Sequence, residues 1–187
     1  MTAMPSQATV NAAEVVSFWR EAGADRWFKK DQAFDDAIRQ RFLSLHEAAV
    51  AGSLKHWEES AEGALALLIL LDQFPRNMFR GEARAFATDP LAHAIAAGAL
   101  VRGFDSHAPG AMRGFFYLPF MHSENLADQE RAVAFYKAIG DTDGLKWAEL
   151  HADIIRRFGR FPHRNAVLGR TTTAAEQAFL NGGGFAG

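Results

Sequence analysis

The sequence predicts an all-α protein built from stacked antiparallel helix pairs, and three observations support this. Apolar residues recur at three- and four-residue spacing along most of the chain. No run of alternating β-branched residues stands between two hairpin turns. Glycine or proline follows nearly every periodic segment, so about seven to nine helices are expected, joined by short turns as in α-solenoids, although no strict internal repeat is present.

Composition excludes several functional classes. A chain of 187 residues is expected to form a single domain over residues 1–187, and its 49% apolar residues provide a core. The net charge of -2 argues against nucleic-acid or membrane partners. The absence of cysteine excludes thiol nucleophiles, iron–sulfur clusters and thiolate zinc sites, and we expect no cofactor and no metal.

The chain start has no basic segment followed by an apolar one, so we expect a cytoplasmic protein. The most apolar run, residues 64–71, is much shorter than the roughly 20 residues of a membrane span. Residues 1–10 and 181–187 are expected to be mobile.

The first two helices have clear ends. Asn11 with Glu14 resembles a capping box that opens a helix to about Ala22. A second helix is predicted from Gln32 to Ala51. Their predicted core residues are Val15, Val16, Trp19, Phe34, Ile38, Phe42 and Leu45.

A third helix, from about Glu58 to Asp72, is apolar around most of its circumference and should lie at the centre. Pro75 restricts Phe74 and should end it. Asp89 is the predicted N-cap of a helix that reaches Leu100 or Val101, with proline at its first position.

The C-terminal half contains four more predicted helices. A short one spans Gly110 to Tyr117, and Ser123 caps another that ends near Ile139. A long helix covers Thr142 to Phe158, and Thr173 with Glu176 forms a capping box for the last one. The helix that ends near Ile139 and the long helix after it are expected to contribute these core residues: Leu126, Val133, Phe135, Tyr136, Ile139, Leu145, Trp147, Leu150, Ile154, Ile155 and Phe158.

The segment "FGRFPHRNAVLGR", residues 158–170, is rich in cations and contains no acid. Arg160, Arg164 and Arg170 surround His163 and Asn165 there, and guanidinium groups recognise carboxylate or phosphate by two-point contacts. Because Pro162 stiffens the loop, these groups are candidates for binding an anion. Arg156 and Arg157 lie in the last turn of a helix, where a cation is stabilised by the helix dipole without a ligand. The side chain of Asn165 would serve equally well to close the turn.

The segment "FFYLPFMHSENLADQE" places His122 and Glu124 at a helix start. This pair would serve in proton transfer, or in metal binding with His151 as a third ligand. His151 is on the apolar side of its helix, which is more typical of a core histidine.

Asp72, Arg76 and Asn77 form a third cluster in "LLDQFPRNMFRG". Asp72 follows a buried run, so it needs a partner, either as a helix-end salt bridge with Arg76 or to orient Arg76 toward a ligand. Because this segment and "RRFGRFPHRNAVLGR" both place Arg and Asn after Phe-Pro, the two corners are predicted to face one cleft.

Together with "WFKKDQAFD", these motifs resemble bacterial domain-of-unknown-function family 924 over about Val15 to Leu180. The resemblance implies a TPR-like, right-handed superhelix and no established activity. It places the family's motif residues at Asp72, Gln73, Arg76, Asn77, His122, Ser123, Glu124, His151, Arg160, His163, Arg164, Asn165 and Arg170.

Three functions remain open. The preferred hypothesis is a scaffold whose Arg, His and Asn groups bind an anionic small molecule or peptide. The second is a hydrolase in which His122 or His163 transfers protons, Glu124 orients the imidazole and arginines stabilise negative charge. The third is a purely structural role in which these groups brace helix ends.

Overall fold

The computed structural model describes residues 11–185, which are helical and contain no strand. The all-α prediction is therefore confirmed, and the packing is compatible with a helical superhelix. Residues 1–10, expected to be mobile, lie outside the described residues. The α-helices are α1 Ala12–Ala22, α2 Ala24–Trp27, α3 Gln32–Val50, α4 Ala61–Leu68, α5 Phe74–Met78, α6 Asp89–Val101, α7 Leu118–Met121, α8 Leu126–Ile139, α9 Thr142–Phe158 and α10 Ala174–Asn181.

Shorter elements connect these helices. The predicted helix at Gly110–Tyr117 is a 3-10 helix over Gly110–Phe116. The four-residue helices α2 and α7 were not predicted, since each is too short for an apolar period to be recognised. The other 3-10 turns are Lys55–Glu59, Ala83–Ala85, Phe104–His107 and Pro162–Arg164.

Local capping signals explain most helix starts. The Asn11 side chain accepts from the Glu14 amide, and Thr173 with Glu176 forms a reciprocal capping box. Two predicted caps are wrong. Thr88 precedes α6 and leaves Asp89 inside its first turn, while Asn125 caps α8 in place of Ser123.

The central helix does not end at Asp72. After α4 it widens into a π-helical segment, Ile69–Gln73, and continues through Pro75 as α5. Phe74 keeps helical geometry, with φ -59° and ψ -36°, so the predicted break before Pro75 is wrong. A π-turn is a known response to a local disturbance of helical hydrogen bonding and is frequent at functional sites.

Pro75 has no amide N–H to donate, and side chains from other elements contact two carbonyls of the turn before it. The Phe74 amide bonds to the Ile69 carbonyl, five residues back. The Leu70 carbonyl is contacted by Nδ1 of His46 at 2.9 Å, and the Leu71 carbonyl accepts from the Thr88 hydroxyl at 2.5 Å. The helix can therefore pass through a proline because buried carbonyls gain partners elsewhere.

The core surrounds α4, whose residues 63–68 are all buried. This helix packs against α1 and α6, and α8 packs against α9. A smaller cluster of Ile154, Ile155 and Phe161 lies beneath the C-terminal segment.

Three predicted core residues lie at the surface: Leu126, Trp147 and Leu150. Trp147 is 49% exposed. The buried face of α9 includes Ala148, His151, Ala152 and Ile155. Its two alanines let this face approach its neighbours closely, whereas the larger apolar residues Trp147 and Leu150 lie outside it.

Within residues 11–185, no helix combines the length and apolar character needed to cross a membrane.

Replacing Thr88 by valine should destabilise the protein by about 1–3 kcal/mol, because it leaves the buried Leu71 carbonyl without a donor. Urea unfolding would measure this loss, with Thr142→Val at an exposed helix start as the control. The loss should shrink in a Pro75→Ala background, where an amide becomes available. Equal losses in both backgrounds would contradict this account of the proline.

Candidate functional site

The two Phe-Pro corners meet at the carboxylate of Asp89. Arg76 binds it with two contacts, Nη1 to Oδ1 at 2.9 Å and Nη2 to Oδ2 at 3.0 Å. Arg164 reaches the same carboxylate through one longer contact of 3.3 Å. Two arginines from distant parts of the chain thus share one carboxylate, which lies 75 positions before Arg164, and the predicted convergence of the corners is present for their arginines.

Local structure positions all three groups. Arg76 lies on α5, which exists because the central helix continues past Pro75. Arg164 ends the 3-10 turn that Pro162 opens. Asp89 begins α6 at a helix N-terminus, where a negative charge is stabilised by the helix dipole.

The deepest charged group is Asp72, whose side chain is 1% exposed. Its Oδ1 lies 2.7 Å from Nδ1 of His122 and 3.5 Å from Nη1 of Arg76. The Gln73 side-chain amide donates to Oδ2 at 2.5 Å. Three neighbouring groups therefore compensate the buried carboxylate, and Arg76 links it to Asp89.

The pKa values of Asp72 and His122 are set by burial and by neighbouring charges. Burial alone would raise the pKa of Asp72, but His122, Arg76 and Gln73 oppose it and lower that pKa to about 2. Burial and the positive charge of Arg76 lower the pKa of His122, and outweigh the attraction of Asp72. At neutral pH the pair is therefore an ionised carboxylate that accepts a hydrogen bond from a neutral imidazole.

Arg164 is the least compensated cation of the cluster. Its guanidinium carbon lies 4.6 Å from the ring centre of Phe86 and 4.5 Å from that of Phe161. Its Nε is buried and has no hydrogen-bond partner among residues 11–185. Burial, followed by repulsion from Arg76, lowers the pKa of Arg164 to about 10.

Glu124 belongs to a second ion pair. It accepts from Nη1 and Nη2 of Arg170 at 2.8 and 3.0 Å and from the Phe161 amide at 2.8 Å. Burial would raise the pKa of Glu124, but these donors lower it. Its recorded hydrogen bonds go to Arg170 and the backbone, and none joins it to His122 or His163.

A third ion pair joins the same loop to α10. Arg160 binds Glu176 through Nε at 2.6 Å and Nη2 at 2.9 Å. Asn165 is buried and donates to Glu176 at 3.3 Å, while its Oδ1 has no partner among the described residues. These contacts, with the backbone bond from Arg170 to the Asn165 carbonyl, hold the loop closed.

Asn77 lies in a separate network. Its side-chain amide donates to Asp35 at 2.7 Å, and Arg80 contacts the same carboxylate. Asn77 was predicted to belong to a cluster with Asp72 and Arg76, but its side-chain hydrogen bond goes to Asp35 and connects α5 to α3.

His151 and His163 are packed among aromatic rings. The ring centre of His151 lies 5.4 Å from that of Phe161 and 4.6 Å from that of Phe185. Phe185 also lies 5.1 Å from His163, so the segment after α10 covers both imidazoles. Burial lowers the pKa of His151 to about 4 and that of His163 to about 3, and nearby Arg164 acts in the same direction.

Within the described chain, no three His, Asp or Glu side chains are grouped as metal ligands. His122, Glu124 and His151 thus do not form the metal site that their types allowed. His151 has the environment of a core histidine, since its Nδ1 contacts the Trp147 carbonyl at 2.8 Å.

Sequence reasoning missed the acids that neutralise the arginines. The segment 158–170 has no acid of its own, yet Asp89, Glu124 and Glu176 reach it from three other elements. Asp89 and Glu176 were assigned only to helix starts, and nothing in their local sequence distinguishes a capping acid from one that also binds a distant arginine.

The cluster reaches solvent through limited openings. The side chains of Arg76, Asp89 and His122 are 20%, 15% and 14% exposed, and Arg164 is 8% exposed. Two hollows, of about 200 and 260 Å³, lie elsewhere, at the α3–α4–α6 side and beside α1. The cluster therefore offers access to a small group rather than to a long chain.

His151→Gln should flatten the pH dependence of stability. The pKa of His151 is about 4 in the folded protein and 6.5 in an unfolded reference, so its stabilisation is complete above pH 6.5 and is lost as pH falls toward 4. For this buried group the loss is at most about 3 kcal/mol. Urea unfolding between pH 7.5 and 4 should show the full loss in the wild type and in the exposed-site control His56→Gln, and a smaller loss in His151→Gln, where His163 with its pKa of about 3 still contributes. Parallel curves for all three proteins would contradict this assignment.

Comparisons with known proteins identify the family of the chain. No curated protein matches the chain. A solved structure of a protein of unknown function from Agrobacterium tumefaciens is 50% identical and has a TM-score of 0.89, with 91% of this chain and 97% of that chain covered. The family model for bacterial proteins of unknown function DUF924 matches residues 15–184, so the chain belongs to the DUF924 family.

Proposed function

We propose that the protein binds a small anion, a carboxylate or phosphate group, at the guanidinium of Arg164. The observation that carries this proposal is the incomplete compensation of that buried cation. Asp89 already makes a two-point pair with Arg76 and contacts Arg164 only once, at 3.3 Å. A buried charge with so few partners is costly, and an incoming anion would relieve it.

The surrounding groups favour an anion of limited size. The Phe86 and Phe161 rings hold the guanidinium in position, so little conformational entropy is lost when a ligand binds. An anion would take over the single contact between Arg164 and Asp89, while Asp89 kept both of its contacts to Arg76. The narrow solvent access supports a small molecule over the peptide that the motifs also allowed.

The other candidate groups have assigned partners and would support the site from outside. Arg170 and Arg160 each bind a carboxylate at two points, Glu124 and Glu176 respectively, although Nε of Arg170 is buried and has no partner among residues 11–185. These pairs fix the loop that carries Arg164. These two ion pairs are also consistent with the structural alternative, in which polar groups only brace helix ends. That alternative predicts that no anion binds.

The hydrolase alternative needs a different orienting acid from the one predicted. Glu124 bonds to Arg170 and the Phe161 amide, whereas His122 is beside Asp72. The short contact between Asp72 and His122 is the observation that keeps an enzymatic function under consideration.

Isothermal titration with succinate and with inorganic phosphate at pH 7 would test anion binding. Because a hydrogen bond to a charged group contributes about 1.5–3 kcal/mol, Arg164→Gln should weaken the affinity by roughly ten- to hundredfold. Arg156→Gln makes the same charge change on an exposed helix end and should leave the affinity unchanged.

Two results would contradict the proposal. One is the absence of binding of both succinate and phosphate to the wild type. The other is an equal loss of affinity in Arg164→Gln and Arg156→Gln, which would indicate attraction by overall charge. Far-ultraviolet circular dichroism of both variants would establish that each is folded.

A further inference from the structure

The contact between Asp72 and His122 has the geometry of a carboxylate that orients an imidazole. Nδ1 of His122 lies 2.7 Å from Oδ1 of Asp72, although the two residues are 50 positions apart. Asp72 comes from the π-helical segment of the central helix, and His122 follows α7 directly. The pair joins two elements that terminate at the polar cluster.

Asp72 is held too firmly to act as a mobile partner. Gln73 donates to its second oxygen at 2.5 Å, and Arg76 contacts both its carboxylate and its backbone carbonyl. An ionised acceptor fixed in this way stabilises the tautomer of His122 with hydrogen on Nδ1. The lone pair of the imidazole is then on Nε2.

Nε2 of His122 is available for a reaction. None of the hydrogen bonds recorded within residues 11–185 uses this atom, and the His122 side chain is 14% exposed, so water can approach the imidazole. Burial and Arg76 keep the imidazole neutral at physiological pH. A neutral, oriented imidazole with an open nitrogen fulfils the requirements of a general base.

The cations beside His122 would stabilise negative charge that forms during a reaction. Arg76 contacts Asp72 and lowers the pKa of His122, and Arg164 shares Asp89 with Arg76. A base that activates water and a cation, Arg76, that stabilises an oxyanion together suit attack on an acyl carbon, and Arg164 is left to hold an anionic group of the substrate.

We propose that His122 is the general base of an esterase-type hydrolysis acting on small acyl esters that carry an anionic group, with Asp72 as its positioning residue. This inference rests on the proposed anion site, which would hold the substrate's anionic group at Arg164. It replaces Glu124 by Asp72 as the acid that orients the imidazole.

The reaction balances without a cofactor. Nε2 of His122 takes a proton from water while the water oxygen forms a bond to the acyl carbon, giving a tetrahedral oxyanion. When the carbonyl re-forms, the bond to the alcohol oxygen breaks, and the proton on Nε2 passes to the leaving alkoxide. The products are the carboxylic acid and the alcohol, and the imidazole is neutral again.

Hydrolysis of 4-nitrophenyl hydrogen succinate, compared with neutral 4-nitrophenyl acetate, would test this proposal. The wild type should prefer the anionic ester, and His122→Gln should lower kcat by about 10²–10⁴-fold. The rate should rise with pH through a pKa below 6.5 and then level off, because the base must be unprotonated. His56→Gln, at an exposed histidine, is the matched control and should retain the full rate.

Asp72→Asn tests the positioning role separately. It should lower kcat with little change in KM, and nitrogen-15 NMR of the imidazole should show loss of the pure Nδ1–H tautomer that the wild type has at pH 7. A role of Asp72 in stability alone would leave the tautomer and the pH profile unchanged. If Asp72→Asn does not fold, the wild-type tautomer and the His122→Gln rate decide the question.

The outcomes separate this inference from anion binding. The catalytic role of His122 is overturned if turnover is no faster than that of free imidazole, or if His122→Gln turns over as fast as the wild type. Succinate binding that still depends on Arg164 would then support the anion site alone. A second outcome is turnover that depends on His122 but shows no preference for the anionic ester. If succinate binding then does not depend on Arg164, the anion site is overturned, and with it the proposed substrate class.

Discussion

The buried negative charge of Asp72 is the constraint on which the polar cluster depends. An ionised carboxylate in a nearly water-free position is stable only with close donors, and here His122, Gln73 and Arg76 supply them. Satisfying that one charge brings His122, at the end of α7, against the central helix. It also leaves Arg76 with a free side of its guanidinium, which binds Asp89 and so connects to Arg164.

The passage of the central helix through Pro75 makes this arrangement possible. Had the chain left the helix before the proline, Arg76 would not lie one turn after Asp72 on α5. The π-helical segment adds a residue to that turn, and His46 and Thr88 contact the Leu70 and Leu71 carbonyls just before the proline, which has no N–H to donate. A local defect in hydrogen bonding is thus tied to the geometry of the site, which agrees with the frequent occurrence of π-turns at functional positions.

The number of carboxylate contacts separates the arginines that brace the fold from the polar groups that could still bind a ligand. Arg160 and Arg170 each have a two-point carboxylate partner and fix the loop after α9. Arg164 has one long contact, and His122 has one ring nitrogen without a recorded partner. Arg164 connects to Arg76 through Asp89 and His122 connects to it through Asp72, so the proposed anion site and the proposed base belong to one cluster.

The sequence by itself determined the longer helices, the caps at Asn11 and Thr173 and the centrality of α4, because apolar periodicity and capping are local properties. It also identified both Phe-Pro corners and most of the polar residues between them, since a charge within or beside an apolar run is conspicuous. It did not reveal that Asp89, Glu124 and Glu176 would neutralise the arginines, or that Asp72 and not Glu124 would orient His122. Only the tertiary structure decided these pairings, because an ion pair depends on a distance of a few ångströms between side chains whose separation along the chain carries no such information.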